Sequence, residues 1–240
     1  AGVSEAEINT QGNNNIVVSI PGTPDDATLA RIEASAKLEF RAVLEAGAPT
    51  STSVGGDGTA TPAPVATIDP NLPSIPAVAP SNGSDLNWVT PALQAQYEQF
   101  DCASENAQSA NTAPEDQPLI TCDFTNTTKY ILGPVEVFGS DISNAGASMV
   151  TTSQGATTGQ WAVDLSFNAK GTKDFGDVTT RLNGLSGSLN QFAIVLDGKV
   201  LTAPATNAAI TNGSAQITGG FTQASAKTLA DQLKYGALPI

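Results

Sequence analysis

A chain that carries out acid–base, nucleophilic or metal chemistry must hold the side chains for it, and this 240-residue sequence holds few. Histidine is absent, cysteine occurs twice and aromatic residues make up 5% of the chain, so the commonest proton shuttles and zinc ligands are missing or scarce. A serine nucleophile without histidine would need a lysine base. Yet no S-x-x-K occurs, and Ser35-x-Lys37 and Ser225-x-Lys227 have the wrong spacing for a shared helix face. The acidic pairs Asp25-Asp26 and Glu115-Asp116 read better as a helix start and as solvated loop charge than as two-carboxylate catalysis. Neither a G-x-G-x-x-G nor a P-loop is present, and Gly184, Gly187, Gly219 and Gly220 read as turn or bulge glycines. The sequons at Asn82, Asn126 and Asn212 carry meaning only in a eukaryotic secretory setting. The sequence therefore assigns no catalytic residue, no metal ligand and no cofactor site.

Cys102 and Cys122 enclose a polar stretch and lack C-x-x-C spacing, which disfavours metal binding and redox catalysis. In an oxidising compartment a bond between them would restrict the unfolded chain by roughly 3 kcal/mol, with two free thiols as the alternative. Ten basic against twenty-three acidic residues give a net charge of -13, which repels phosphate backbones and argues against a nucleic-acid partner. An apolar content of 40% and a mean hydropathy near zero suit a soluble globular fold. No apolar run approaches the roughly 20 residues of a membrane-spanning helix, and the first ten residues lack a signal peptide's basic and apolar regions.

The elements that would position any site follow from periodicity. Glu5 to Thr10 and Asn15 to Pro21 flank Gly12-Asn13-Asn14 and predict a hairpin, and "TPDDATLARIEASA" predicts a helix with Leu29, Ile32 and Ala36 on one face. From Lys37 the period becomes two, with Leu38, Phe40, Ala42 and Leu44 alternating against Lys37, Glu39, Arg41 and Val43, which predicts a strand. Residues 46–84 hold seven of the fifteen prolines with no Lys, Arg, Glu or aromatic residue, and read as a mobile linker or insertion. "TPALQAQYEQF" predicts a short helix capped by Thr90, with Leu93, Tyr97 and Phe100 on one face.

After Lys129 strands resume. "ASMVTTSQ" and "QWAVDLSFN" flank Gly155 to Gly159, and a helix after Asn168 places Phe175, Val178 and Leu182 inward. "AIVLDGKVLTAP" is a hairpin closed by Asp197-Gly198, and "SAQITGGF" leads into a helix with Thr222 as cap, a stripe of Ala226, Leu229, Ala230 and Leu233, and Gly236 as its stop. This order predicts an α+β fold, a largely antiparallel sheet with helices on one face.

"GVSEAEINTQGNNNIVVSIPG", "KLEFRAV" and "AIVLDGKVLTAPATNAAITNGSAQITGGFTQASAKTLADQLKYGALP" resemble the first extracytoplasmic domain of the SecD family of Sec translocase subunits, in its actinobacterial form. Within those motifs the residues of structural weight are Gly22, Phe40, Arg41, Asp197, Gly198, Pro204, Gly219, Phe221, Gly236 and Pro239. The resemblance implies a ferredoxin-like base with an inserted head: residues 1–45 as the N-terminal part of the base, 46–85 as linker or insertion, 86–129 as short helix and Cys-bearing loop, and 130–240 as head with a return towards the base. The family's base has a strand and helix that would precede Ala1 and a closing strand that would follow Ile240.

The resemblance further implies a motor part and no enzyme. Together with SecF, such a subunit uses the proton gradient to draw polypeptides from the SecYEG channel, with its proton-carrying residues in membrane helices and this domain on the extracytoplasmic side of the cell membrane. A surface that grips unfolded chain should be apolar or an open sheet edge, and the sequence does not name its residues. The alternative is a secreted or cell-wall-associated binding module without catalytic activity.

Overall fold

The computed structural model describes residues 7–11, 15–19, 37–49, 52–54, 60–62, 68–104, 113–151 and 157–235. The chain divides into two units, residues 1–35 and 36–240. In the first, β1 (Glu7–Gln11) and β2 (Asn15–Ser19) pair antiparallel with Glu7 opposite Ser19, the hairpin that the sequence predicts. The helix expected after Pro21 lies outside the described residues, as does Gly22.

The second unit is organised by β3 (Leu38–Gly47). One neighbour is β10 (Phe192–Leu196), which continues into β11 (Lys199–Thr202); the other is β7 (Lys129–Phe138), flanked by β6 (Leu119–Cys122). The sheet order is β11-β10-β3-β7-β6, every pair antiparallel. Its outer strands curl towards each other, since Asp123 bridges Val200, Phe124 N donates to Val200 O at 3.1 Å and Thr121 Oγ1 donates to Gly198 O at 2.5 Å. This closure gives both faces of β3 something to bury against. Strict alternation is the mark of a strand with one wet face, yet Glu39, Arg41 and Val43 are as buried as Phe40 and Ala42. Val43 packs with Leu119, Leu132, Ala193, Val195 and Val200 inside the curl.

A second sheet, β12-β9-β8, is built from β8 (Ile142–Thr151), β9 (Thr157–Phe167) and β12 (Ser214–Phe221). Its apolar positions Val163, Leu165, Phe167 and Ile217 join Leu38, Phe40 and Ala42 of β3 in the main core. Two helices complete that core. In α2 (Ala169–Leu182), Asn168 accepts from Gly171 N as cap, and Phe175, Val178 and Leu182 are buried. In α3 (Gln223–Tyr235), Thr222 Oγ1 accepts from Ser225 N, and Ala226, Leu229, Ala230 and Leu233 are buried. Phe40 is the hub: its ring lies 5.9 Å from each of Phe167, Phe175 and Phe192. Each such pair adds roughly 0.5–1.5 kcal/mol beyond burial, so this one side chain ties two sheets to α2.

The region between β3 and β6 departs most from expectation. A small antiparallel pair, β4 (Thr52–Val54) with β5 (Ala60–Pro62), stands where linker was predicted. Residues 68–85 have no regular structure, yet they are held in place by side-chain turns: Asp85 accepts from Ser81 N, Ser81 Oγ and Asn87 N, and Asn82 Oδ1 accepts from Ser84 N. Composition weighs this segment by apolar burial, whereas polar turns hold it together with bonds from Ala92 N to Pro73 O, Trp88 Nε1 to Asn82 O and Arg181 to Ser84. The helix α1 (Pro91–Gln99) forms as predicted, with Thr90 as cap and Tyr97 buried against Leu44 and Ile131. Cys122 lies on β6 and not in a loop; a four-residue strand without clean alternation gives too little signal to recognise.

Candidate functional site

Four features of the second unit could serve a function. The first is an apolar groove of about 270 Å³ floored by Phe40, Leu165, Phe175 and Phe192, walled by Ala215 and Ile217 of β12, and rimmed by Pro204 to Ile210. It falls just below the ~300–1,000 Å³ of small-molecule pockets, a size that suits one or two bulky side chains. The rim is fastened at two points. Thr206 N donates to Asn190 O at 3.0 Å and Asn190 Nδ2 to Thr206 O at 2.9 Å; further on, Ile210 N donates to Thr179 Oγ1 at 2.9 Å. Beside it, β12 pairs with β9 alone among the described residues, which leave its other edge open.

The second feature is polar and sits on the opposite face of β3. Arg41, fully buried, donates from Nε to Glu39 Oε2 at 2.8 Å and from Nη1 to Gln117 O at 2.8 Å and Gly133 O at 3.0 Å; its Nη2 has no partner among the described residues. Glu39 also meets Lys37 Nζ at 2.8 Å, and Lys37 reaches Glu115 at 3.2 Å. The hydrogen bond to Glu39 is the largest reason that the Lys37 ammonium is held above the ordinary lysine range.

Third, the 81–88 turn docks on β7 and α2. Arg181 of α2 donates from Nε to Ser84 Oγ at 2.9 Å and from Nη2 to both oxygens of Glu136. Burial pushes the Glu136 carboxyl up, against the pull of Arg181. A close backbone approach permits the contact: a Cβ on Gly133 would lie 2.0 Å from Gly83 O. Glycine is required there by space.

Fourth, Cys102 and Cys122 form a disulfide, both ends of which are buried. Next to it Lys129 Nζ donates to Tyr97 O at 2.8 Å and to Glu98 O and Phe100 O at 3.2 Å, closing the carbonyl end of α1. Burial lowers the Lys129 ammonium below the ordinary lysine range and pushes the Tyr97 phenol up to about 12.

The residues singled out from sequence are divided among these features. Phe40 and Pro204 belong to the groove, and Pro204 O accepts from Phe192 N at 3.1 Å. Arg41 is the centre of the polar network. Asp197 and Gly198, at φ 49° and 79°, form the left-handed turn of the hairpin. Gly219 falls where the β12–β9 register slips between Thr218 and Phe221, and Phe221, opposite Trp161, packs against the main core. Gly236 and Pro239 lie outside the described residues. Asn82 and Asn212 begin turns in which their amide oxygens accept from Ser84 N and Ser214 N, a local reason for the N-G-S pattern. Thr179 and Asn190 were missed. Thr179 occupies the helix stripe between Phe175, Val178 and Leu182, and a hydroxyl at a core position of a helix signals a partner waiting there.

Among the described residues no group of three or more His, Cys, Asp or Glu is placed to hold a metal ion, and no helix is long and apolar enough to cross a membrane. Fold and site together define an antiparallel α+β module with an apolar groove beside an open strand. The chain belongs to the SecD/SecDF protein translocase family. Residues 110–240 match the SecDF P1 head subdomain, and residues 1–45 match the N-terminal part of the P1 domain of the protein translocase subunit SecDF.

The protein translocase subunit SecD of Streptomyces coelicolor is 32% identical over 303 aligned residues, a match covering 100% of this chain and 52% of the relative. SecD of Acetobacter pasteurianus is 31% identical over 239 residues, covering 99% of this chain and 33% of the relative. A crystal structure of SecDF from Thermus thermophilus, described as a translocon-associated membrane protein, is 29% identical with a TM-score of 0.45 over 99% of this chain and 25% of that one. The chain thus spans about half the length of the Streptomyces relative and a third of the Acetobacter one.

Proposed function

We infer that this chain is the extracytoplasmic part of a membrane-embedded SecD subunit, and that it binds polypeptide emerging from the SecYEG channel. With SecF, the parent protein uses the proton-motive force to draw that polypeptide outward. In this reading the domain is a binding and moving part without catalysis of its own.

The observation that supports the reading best is the groove between Phe40, Phe175, Phe192 and β12. An unfolded client offers varied side chains and unpaired backbone groups. An apolar recess flanked by an open strand edge can take both, the recess by burying a side chain and the edge by accepting a strand. Polar fastening of the rim at Thr179 and Asn190 keeps the recess from collapsing on itself.

The test is to fill the groove in the full-length subunit. Ala208→Trp adds an indole at the exposed rim without replacing a buried residue. The expected result is slowed export of a secreted reporter in cells depleted of their own SecD, with normal abundance of the variant. Export at the wild-type rate from an Ala208→Trp, Ala205→Trp double variant would remove the groove from the account.

A further inference from the structure

The Asp197-Gly198 turn does more than close the β10–β11 hairpin. A two-residue turn of this kind needs left-handed backbone at both central positions, which asparagine or glycine supplies as readily as aspartate. Turn geometry alone leaves the side-chain oxygen, which glycine lacks, without a reason.

The reason is Lys37. Its backbone N donates to Asp197 Oδ1 at 2.8 Å, and Asp197 N donates back to Lys37 O at 3.0 Å. Lys37 is the exposed residue just before β3, where the chain passes from residues 1–35 into the second unit. Two bonds, one on each side of the residue, fix its φ and ψ together; a single bond would leave a pivot. From there the polar contacts continue, Lys37 Nζ to Glu39 and Glu115, Glu39 to Arg41, and Arg41 to the carbonyls of Gln117 and Gly133. A displacement arriving at Lys37 thus meets a linked set that spans β3, β7 and the 115–117 loop.

We propose that Asp197 is a positioning residue that clasps Lys37, so that a load reaching Lys37 during export is carried into β3 and is not taken up by rotation at Lys37. This rests on the reading of the domain as a moving part of a translocase. The carboxylate's exposed position makes the idea testable, because its removal disturbs no core contact.

Two substitutions in the full-length subunit separate the clasp from the turn. Both Asp197→Asn and Asp197→Gly keep the left-handed turn; asparagine retains the Oδ1 acceptor and glycine removes it. Three readouts apply to each: reporter export in cells depleted of their own SecD, protease resistance in the membrane, and hydrogen exchange of the peptide containing Lys37. Asp197→Asn should match wild type in all three. Asp197→Gly should lose export stimulation and Lys37 amide protection while keeping wild-type protease resistance. Wild-type export by Asp197→Gly overturns the proposal, as does loss of export in both variants together or a loss that accompanies lowered protease resistance. A wild-type subunit that does not stimulate export overturns the translocase reading and the clasp with it, a result seen before any variant is made.

Discussion

Replacing Arg41 by methionine should be among the most damaging single changes to this domain, and its size can be worked from the contacts. Met occupies much of the volume of the arginine stem, so the cavity left behind is small. The loss is electrostatic: Glu39, 5% exposed, gives up its bond to Nε, and the carbonyls of Gly133 and Gln117 give up their donor. Breaking one partner out of a buried pair costs roughly 3–5 kcal/mol, and an orphaned buried carbonyl, here Gly133 O since Gln117 O is only part-buried, roughly 1–3. Lys37 still meets Glu39 at 2.8 Å, which holds the total near the lower bound, about 4 kcal/mol. At about 2–4 °C per kcal/mol for a domain of this size, the melting temperature should fall by roughly 8–16 °C.

Urea unfolding followed by the fluorescence of Trp88 and Trp161 measures the change directly. The decisive comparison is a Glu39→Leu, Arg41→Met double variant, which removes the stranded carboxylate as well. It should recover at least about 1.5 kcal/mol over Arg41→Met alone. If Arg41→Met unfolds within about 1 kcal/mol of wild type, or if the double variant is less stable than the single, the buried-charge reasoning is wrong.

Further outcomes follow from the other features. Replacing Cys102 and Cys122 by serine, across a sequence separation of 20, should cost about 3 kcal/mol by the loop-entropy estimate; an unchanged urea midpoint would mean the bond constrains little. Gly133→Ala should force the 81–88 turn off β7, costing about 1–3 kcal/mol and raising hydrogen exchange around Ser84, whereas unchanged exchange there would show that the contact is not tight. Because burial raises the Glu136 carboxyl in the folded state, the folded protein binds more protons than the unfolded chain just above the ordinary glutamate range. Stability from this group therefore declines as pH rises through that window and is regained as pH falls, a slope that Glu136→Gln should remove from thermal melts recorded between acidic and neutral pH.

Much of this architecture was legible from local pattern. The alternation of Val163, Leu165 and Phe167, the stripes of α2 and α3, and the Asp197-Gly198 turn each depend on neighbours within one or two turns of chain, where periodicity and turn chemistry carry the information. What escaped depends on distant partners. Glu39 and Arg41 alternate like a solvated strand face and are buried only because β6 and β11, far apart in sequence, close the first sheet around them. Ser84 and Gly83 read as linker and are placed by Arg181 and Gly133. The groove combines Phe40, Phe192, Ile217 and the 204–210 rim, four segments that no local pattern links.

The central claim is that emerging polypeptide occupies this groove beside β12. A photo-activatable residue at Ala208, exposed on the rim and lining the groove, tests it most directly in the full-length subunit with a secretory chain stalled in the channel. The account predicts a crosslink from Ala208 to the stalled chain and none from Asp177 on the exposed side of α2. A chain that crosslinks equally from both positions, or from neither while export proceeds, would contradict it.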